Sequence, residues 1–343
     1  MVFGPIFALV TECIKNMEDV AMSICFKVLK NENDYLKMDV EGIVVDVKGL
    51  VAKSPKMLEA VAWSILYTAT ADVICLCGES GTGKEMLFRL IRQVSNKPEG
   101  LCVNCGAMTD SLLESELFGH KKGAFTDAIN DRKGAFLEAG DGLLFLDEIG
   151  EMSLKGQVKL LRAIEYKEIK PVGSDVSLSH KAKLILATNR VLPELVKENK
   201  FRRDLFFRIE GFTVNIPPLR ERPEDIEALV KYFIGDGYRF SKGAMDGLIK
   251  HDWPGNVREL KNAVERAKIK SLYGEKTISW EMLGINKQLS LDYTQKMTLE
   301  DMEKALIQEA YMRFDYNISH TSKALGIPRS TLYSKLRKYD LIA

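Results

Sequence analysis

The chain has almost no excess charge of either sign: 49 basic residues stand against 48 acidic ones. Any nucleic-acid-binding surface must therefore be local rather than a property of the whole chain. A long apolar run is missing too. The longest such stretch, 61–77, is interrupted by Ser64, Thr68, Thr70 and Asp72, which excludes an ordinary membrane span. The apolar opening has no basic residue before Lys15 and no small-residue cleavage site, so no secretory signal is expected. Cysteine is scarce. Cys102 and Cys105 form a CxxC, but no second pair and no nearby histidine complete a zinc site. Cys75 and Cys77 alternate in an apolar run as small hydrophobes would, and Cys13 and Cys25 fall in the apolar N-terminal segment. All six read as reduced structural thiols of a soluble, cytoplasmic protein that makes no membrane contact. Internal repeats and low-complexity tracts are also absent.

What remains is ordinary globular material. At 343 residues and 46% hydrophobic, the chain has roughly two domains' worth of length and can bury a sizeable core. Residues 1–40 read as one or two amphipathic helices followed by a polar stretch at 30–34, too little for an independent sensory domain. From about 41, short apolar strands at 73–77, 101–104, 143–146 and 183–187 alternate with helical patterns. That alternation predicts a mostly parallel sheet with helices on both faces. A proline-rich turn at 216–223 ends it. After the turn the pattern predicts helices only, at 224–234, 242–250 and 256–272, punctuated by Gly235-Asp236-Gly237 and Trp253-Pro254-Gly255. A polar linker follows near 285–298, then three short helices from Leu299 onward.

Two segments carry phosphate chemistry. Gly78, Glu79, Ser80, Gly81, Thr82, Gly83, Lys84 and Glu85 follow an apolar strand and open a helix at 86–94. Glycines let consecutive backbone N–H groups turn toward one anion, the helix N-terminus adds partial positive charge, and the lysine reaches the β- and γ-phosphates. The general pattern has Ser or Thr after the lysine to hold Mg²⁺; here Glu85 takes that place. About sixty residues on, a buried strand ends in Asp147 and Glu148. In a parallel sheet both emerge at the C-terminal edge, one to help hold Mg²⁺ and the next to polarise an attacking water. The predicted reaction class is nucleoside triphosphate hydrolysis.

At the other end, Leu299, Met302, Leu306 and Ala310 mark one face of a helix. Helices at 317–325 and 328–338, joined by Gly326-Ile327, have the helix-turn-helix arrangement, whose second helix lies in the major groove of DNA. Lys323, Arg329, Lys335, Arg337 and Lys338 stand there against Asp340 alone. Arg329, Ser330, Thr331 and Tyr333 open the second helix and are expected to meet base edges or phosphates. Lys335, Arg337 and Lys338 are placed for backbone phosphates.

Seven ordered motifs closely resemble one family, the sigma-54-dependent transcriptional activators, or bacterial enhancer-binding proteins. They are GESGTGKE at 78–85, ELFGH at 116–120, FLDEIG at 145–150, ATNR at 187–190, FRRDLFFR at 201–208, PPLRER at 217–222 and WPGNVREL at 253–260. The likeness runs from about Gly49 to the C-terminus. It implies a fold in which an AAA+ α/β subdomain at 49–216 is followed by a helical lid at 217–284, a linker at 285–298 and a small all-α Fis-type helix-turn-helix domain at 299–343. It also implies an ATPase that assembles as a ring, usually a hexamer, with ATP and Mg²⁺ at subunit interfaces.

Carried over position by position, the resemblance makes Asp147 the magnesium carboxylate and Glu148 the residue that activates water. Asn104 becomes the switch that holds Glu148 off until nucleotide is set, and Asn189 the sensor beside the acidic strand. Arg202 and Arg208 become arginine fingers reaching the neighbouring subunit's γ-phosphate, with Arg203 a third arginine nearby, and Arg258 the lid arginine that senses nucleotide.

The family's sigma-contacting loop reads GAFTGA. Here it is Gly123, Ala124, Phe125, Thr126, Asp127 and Ala128, with aspartate in place of the second glycine. Glycine tolerates positive φ far better than aspartate, and the change sets a negative charge beside the contact tip. The loop is expected to engage sigma factor through Phe125 and Thr126 with altered coupling to hydrolysis. The segment 7–29 resembles the closing helix of a GAF-type sensor and 41–49 the opening strand of a PAS domain, so residues 1–48 read as a sensory remnant, with regulation lost or supplied by a separate protein. The leading function is ATP-driven remodelling of the sigma-54 RNA polymerase closed complex by a ring bound to upstream double-stranded DNA. The alternatives are a DNA-binding regulator of this fold whose loop no longer activates, and an AAA+ machine with an unrelated client such as a helicase loader.

Overall fold

The computed structural model describes residues 27–28, 37–40, 43–47, 49–95, 97, 100–125, 128–271, 276–285, 303–304, 306–308, 310–311, 317–339 and 341. They fall into two compact units, Met1–Ile285 and Asn286–Ala343.

The larger unit is built on five parallel strands: β1 (Val73–Cys77), β2 (Gly100–Asn104), β3 (Leu143–Asp147), β4 (Lys183–Thr188) and β5 (Thr213–Asn215). Their order across the sheet is β5-β1-β4-β3-β2. Alternate side chains sort the apolar runs onto two faces. Val73, Cys75, Leu144, Leu146, Leu184 and Leu186 pack under the helices Asp110–Phe118, Leu154–Tyr166 and Arg203–Glu210. Ile74, Leu76, Leu143, Phe145, Ile185 and Ala187 pack under Pro55–Thr70 and Lys84–Val94. Phe88 stacks on Phe145 at 4.5 Å between ring centroids, pinning the helix that follows the phosphate loop. The predicted sheet, covered on both faces, is therefore observed. Because β1 is flanked by β4 and β5, neither of which adjoins it in sequence, the sheet's switch point lies where β1 ends.

Beyond the proline-rich turn lies a second core around Trp253, Leu260, Val264, Ile226 and Leu229. It is carried by the helices Ile226–Ile234, Lys242–Lys250, Asn256–Lys270 and Trp280–Leu283. The expectation of helices only is corrected here, because Arg239–Phe240 pairs in parallel with Thr277–Ile278. Two-residue strands carry no periodicity to read. A similar correction applies near the N-terminus. Lys27–Val28, Lys37–Val40 and Ile43–Asp46 form an antiparallel meander rather than a continuation of helix. Residues 1–26 and 29–36, with Cys13 and Cys25, lie outside the described residues, as does the linker after Ile285. The four described cysteines are free; Cys75 and Cys105 are buried, but Cys102 is exposed and so is not a packed structural thiol. Among the described residues no helix is long and apolar enough to cross a membrane.

In the smaller unit, residues 303–304, 306–308 and 310–311 are helical. The helix Ile318–Leu325 starts at Asn317, whose side chain accepts from the N–H groups of Ser319 and His320. It ends at Gly326 with φ 66°, and Arg329–Lys338 begins after Pro328. Ile307, Leu332, Leu336 and Tyr339 form its core.

Candidate functional site

The phosphate loop leaves β1 at the switch point, and its helix begins at Lys84 itself, two residues earlier than the pattern predicts. Gly81 has φ 78°, and a Cβ there would sit 2.5 Å from the Gly255 carbonyl, so only glycine fits between loop and lid. Lys84 Nζ donates to the carbonyls of Gly78 at 2.7 Å and Glu79 at 3.1 Å. Burial pushes its ammonium below the ordinary lysine range, and the nearby Asp147 carboxylate partly restores it. Glu85 faces Arg89 one turn on, at 2.7 Å.

Asp147 ends β3, and its Oδ1 accepts from the Glu148 N–H at 2.9 Å. Glu148 is held at φ 57°, ψ 42°. A left-handed conformation in a residue other than glycine stores about 1–3 kcal/mol and clusters at functional sites. The Glu148 carboxylate lies so close to Gly106 that a methyl there would collide with its Oε2. Asn104 ends β2 beside Asp147, and its Oδ1 accepts from the Gly106 N–H at 2.8 Å. Among the described residues no hydrogen bond joins Asn104 to Glu148; the two meet around Gly106 instead. Asn189 is exposed just past the end of β4, which lies between β1 and β3.

The lid is stitched to the loop at several points. Arg258 Nη1 donates to Ser80 Oγ at 2.9 Å, and Val257 N–H to the Gly81 carbonyl at 3.0 Å. Buried Asn256 donates to Glu79 Oε2 at 3.0 Å and to the Ser80 carbonyl at 3.1 Å. Arg220 grips Glu79 with two bonds, at 2.6 and 2.9 Å, and holds that carboxyl below the usual range. Arg222, almost fully buried, donates to the Thr82 carbonyl at 2.6 Å and lies 3.7 Å from Asp225. Asp225 in turn accepts from the N–H groups of Lys53 and Ser54 and from Ser54 Oγ. Glu79, grouped with the nucleotide ligands in the sequence, thus points at the lid.

The arginine-bearing helix Arg203–Glu210 sits on the other face of the sheet. Arg202, at its N-cap, pairs with Asp204 through two bonds of 2.6 and 3.0 Å. Arg203 lies over the Phe207 ring at 5.3 Å, and Arg208 is exposed with no ion pair or hydrogen bond among the described residues. The projecting loop is closed by two backbone bonds, Gly123 N–H to the Ala128 carbonyl at 2.8 Å and Ala128 N–H to the Phe125 carbonyl at 3.0 Å. Phe125 is 43% exposed and meets the His120 ring edge-on at 4.9 Å. Ala124 is half-buried, and Thr126 and Asp127 lie outside the described residues. On the C-terminal helix, Arg329, Ser330, Tyr333 and Arg337 share an exposed face with Ser334, while Thr331 is half-buried and Lys338 is exposed over the Tyr339 ring. Lys335 is half-buried and its ammonium is bound to Glu303, which also accepts from Tyr339 Oη at 2.6 Å. A phosphate contact by Lys335 would first have to break that pair.

Three family matches follow one another between residues 50 and 339. Residues 50–215 match the sigma-54 interaction domain, 220–296 the AAA+ ATPase lid domain, and 298–339 the Fis family of bacterial regulatory proteins. The transcriptional regulatory protein ZraR of Klebsiella oxytoca is 44% identical over 306 residues, covering 84% of this chain and 69% of that protein. The chain belongs to the sigma-54-dependent transcriptional regulators. The hydrogenase transcriptional regulatory protein HoxA of Bradyrhizobium diazoefficiens is 41% identical over 327 residues, 89% of this chain and 67% of its own. Among solved structures, NtrX from Brucella abortus in complex with ADP superposes with a TM-score of 0.62 at 30% identity, covering 84% of this chain and 68% of that one. A second NtrX structure, in complex with ATP, gives the same TM-score. The regulator thus has the AAA+ fold, with sigma-54 and DNA as the partners its domains indicate.

Sequence reasoning did not find how this sigma-54-dependent regulator holds its loop to its lid. Arg220, Arg222, Asp225 and Asn256 do that work. The signals were the charge-dense run 219–222 between Pro218 and Pro223 and the motif at 253–260, and nothing in either says which carbonyl or carboxylate each side chain reaches.

Proposed function

We propose that this regulator hydrolyses ATP in a pocket completed by a neighbouring copy, in a hexameric ring. The cycle drives the Phe125 loop against the sigma-54 RNA polymerase closed complex while the C-terminal helix holds upstream double-stranded DNA. One observation carries the reading: the phosphate loop, the acidic end of β3 and lid arginine Arg258 converge at the C-terminal edge of one sheet.

The cradle fits a triphosphate. Gly81 lets the loop pass close under the lid, and Lys84 holds neutral carbonyls that an anionic phosphate oxygen can displace, because there both partners of the bond are charged. Asp147 is the carboxylate for Mg²⁺, which needs only one or two protein carboxylates beside substrate oxygens. Held there, Mg²⁺ would supply positive charge against the phosphate oxygens. Glu148 polarises the attacking water, and Asn104 and Asn189 orient its surroundings. Arg258 ties the lid angle to the state of the loop. Arg208, exposed and without a hydrogen bond or ion pair among the described residues, and Arg202, held at the surface by Asp204, supply positive charge to the next subunit's γ-phosphate. Such arginines are worth about 10³–10⁵ in rate in related NTPases. Phe125, an aromatic left half in water, needs a partner surface; Asp127 next to it alters how tightly that contact follows hydrolysis. Arg329, Tyr333 and Arg337 face the base edges and phosphates.

The test is a sigma-54 pull-down by the purified chain with and without a trapped ATP transition-state mimic. Retention only with the mimic supports remodelling. Hydrolysis without retention would favour a regulator acting by DNA occupancy, and no hydrolysis at ring-forming concentrations on DNA would end the ATPase reading.

A further inference from the structure

One buried amide outside the nucleotide loop connects two parts of the machine. Gln157 lies on the helix Leu154–Tyr166, is fully buried, and makes three hydrogen bonds. Its Nε2 donates to the carbonyls of Met152 at 2.8 Å and Lys200 at 2.9 Å, and its Oε1 accepts from the Arg202 N–H at 2.8 Å. Met152 closes the short turn Ile149–Glu151 that begins directly after Glu148. Lys200 and Arg202 bracket buried Phe201, and Arg202 is the N-cap of the helix that also carries Arg208.

We infer that Gln157 is a positioning residue for the trans arginines: its amide fixes the start of the arginine helix against the turn behind Glu148. The inference rests on the trans-arginine reading above. An amide suits the task because one planar group offers two donors and an acceptor, matching two carbonyls and one N–H. No apolar side chain can replace it without leaving the buried Met152 carbonyl and the part-buried Lys200 carbonyl and Arg202 N–H without the partner they have here. The guanidinium itself is held separately, by Asp204. Gln157 therefore sets where the helix starts, and Asp204 sets where the Arg202 side chain points. Misplacement of a reacting group by about 1 Å costs on the order of 10²-fold in rate.

The experiment uses the full chain. Gln157→Met is compared with wild type for kcat, for affinity toward a fluorescent ATP analogue and for ring assembly by sedimentation. The expected result is a kcat lower by on the order of 10²-fold with nucleotide affinity within about twofold, because the variant's own phosphate loop is intact. Gln157→Met is then mixed with Glu148→Gln, whose arginines are intact but whose water is not activated. Interfaces that pair a Gln157→Met pocket with Glu148→Gln arginines should hydrolyse, so the mixture should exceed the sum of its parts. Mixing Gln157→Met with Arg202→Ala should give no such gain. A subunit that failed to fold would rescue nothing; in that case Gln157→Asn, an uncharged amide one methylene too short to reach all three partners, takes its place in the same mixture with the same expected gain. A wild-type kcat in Gln157→Met overturns the inference, and so does a mixture with no gain when Arg202→Ala plus Glu148→Gln does gain. Full activity of both Arg202→Ala and Arg208→Ala would instead overturn the trans-arginine reading beneath it.

Discussion

The phosphate loop and the projecting loop are both short, glycine-containing segments, yet they are held very differently. The first is bound at many points from one side: Arg220, Arg222, Asn256, Val257 and Arg258 all reach it from the lid. The second is held by bonds among its own residues and by the His120–Arg132 and Lys121–Asp131 pairs at its base, and it leaves Phe125 half exposed and Ile129 in solvent. A loop that must present N–H groups to phosphate in fixed directions needs preorganisation. A loop that must meet and release a partner needs an exposed contact that costs the fold little when it moves. The contrast teaches that the two ends of the proposed cycle can be damaged independently.

Four experiments break or sharpen that contrast. The largest effect is expected from Glu148→Gln. Hydrolysis, followed by phosphate release, should fall by about 10²–10⁴-fold with nucleotide binding retained, the range for losing a general base. Next is Arg222→Met, which leaves the Thr82 carbonyl without its donor and buried Asp225 without its countercharge, though Asp225 keeps its bonds from Lys53 and Ser54. Removing one partner of a buried pair costs about 3–5 kcal/mol, read as a shift of the denaturant midpoint. Phe125→Ala tests the opposite loop. Stability should change by no more than about 0.5 kcal/mol, as for most surface substitutions, and ATP turnover should hold while sigma-54 retention is lost. A tenfold fall in turnover would show that the loops are not separable.

The smallest effect serves as a control in neither loop. His180 Nε2 bonds the Ala163 carbonyl at 2.9 Å, and burial lowers its pKa. Its ordinary value is about 6.5, so the unfolded chain takes up the proton first. The stability His180 contributes is present above that pH and is lost as pH falls through the lower folded value. His180→Gln should flatten that part of the stability profile between pH 7 and 5, with hydrolysis at neutral pH unchanged; a profile identical to wild type would show that the ring is not titrating as its burial implies.

The legible parts of this chain were those in which chemistry is written in neighbouring residues. The strand, loop and helix from Val73 to Val94 could be read because apolar alternation, three glycines and a lysine fall in one short window, and the Asp147–Glu148 strand end likewise. The helix-turn-helix followed from Gly326 and the basic run after it. Two-residue strands such as Arg239–Phe240 were not legible, because nothing local distinguishes them from loop. Nor was the fate of Lys335, whose partner Glu303 lies 32 residues away.

The sequence by itself determined the sheet, the nucleotide chemistry and the family, since periodicity and motif spacing are properties of contiguous chain. Only the tertiary structure decided which arginine answers which acceptor: Arg220 to Glu79, Arg222 to Thr82, Arg258 to Ser80, across 140 to 178 residues. The reason is physical. A guanidinium on a flexible stem satisfies any acceptor the fold brings near, and that proximity is set by how sheet and lid pack together, not by the residues beside it.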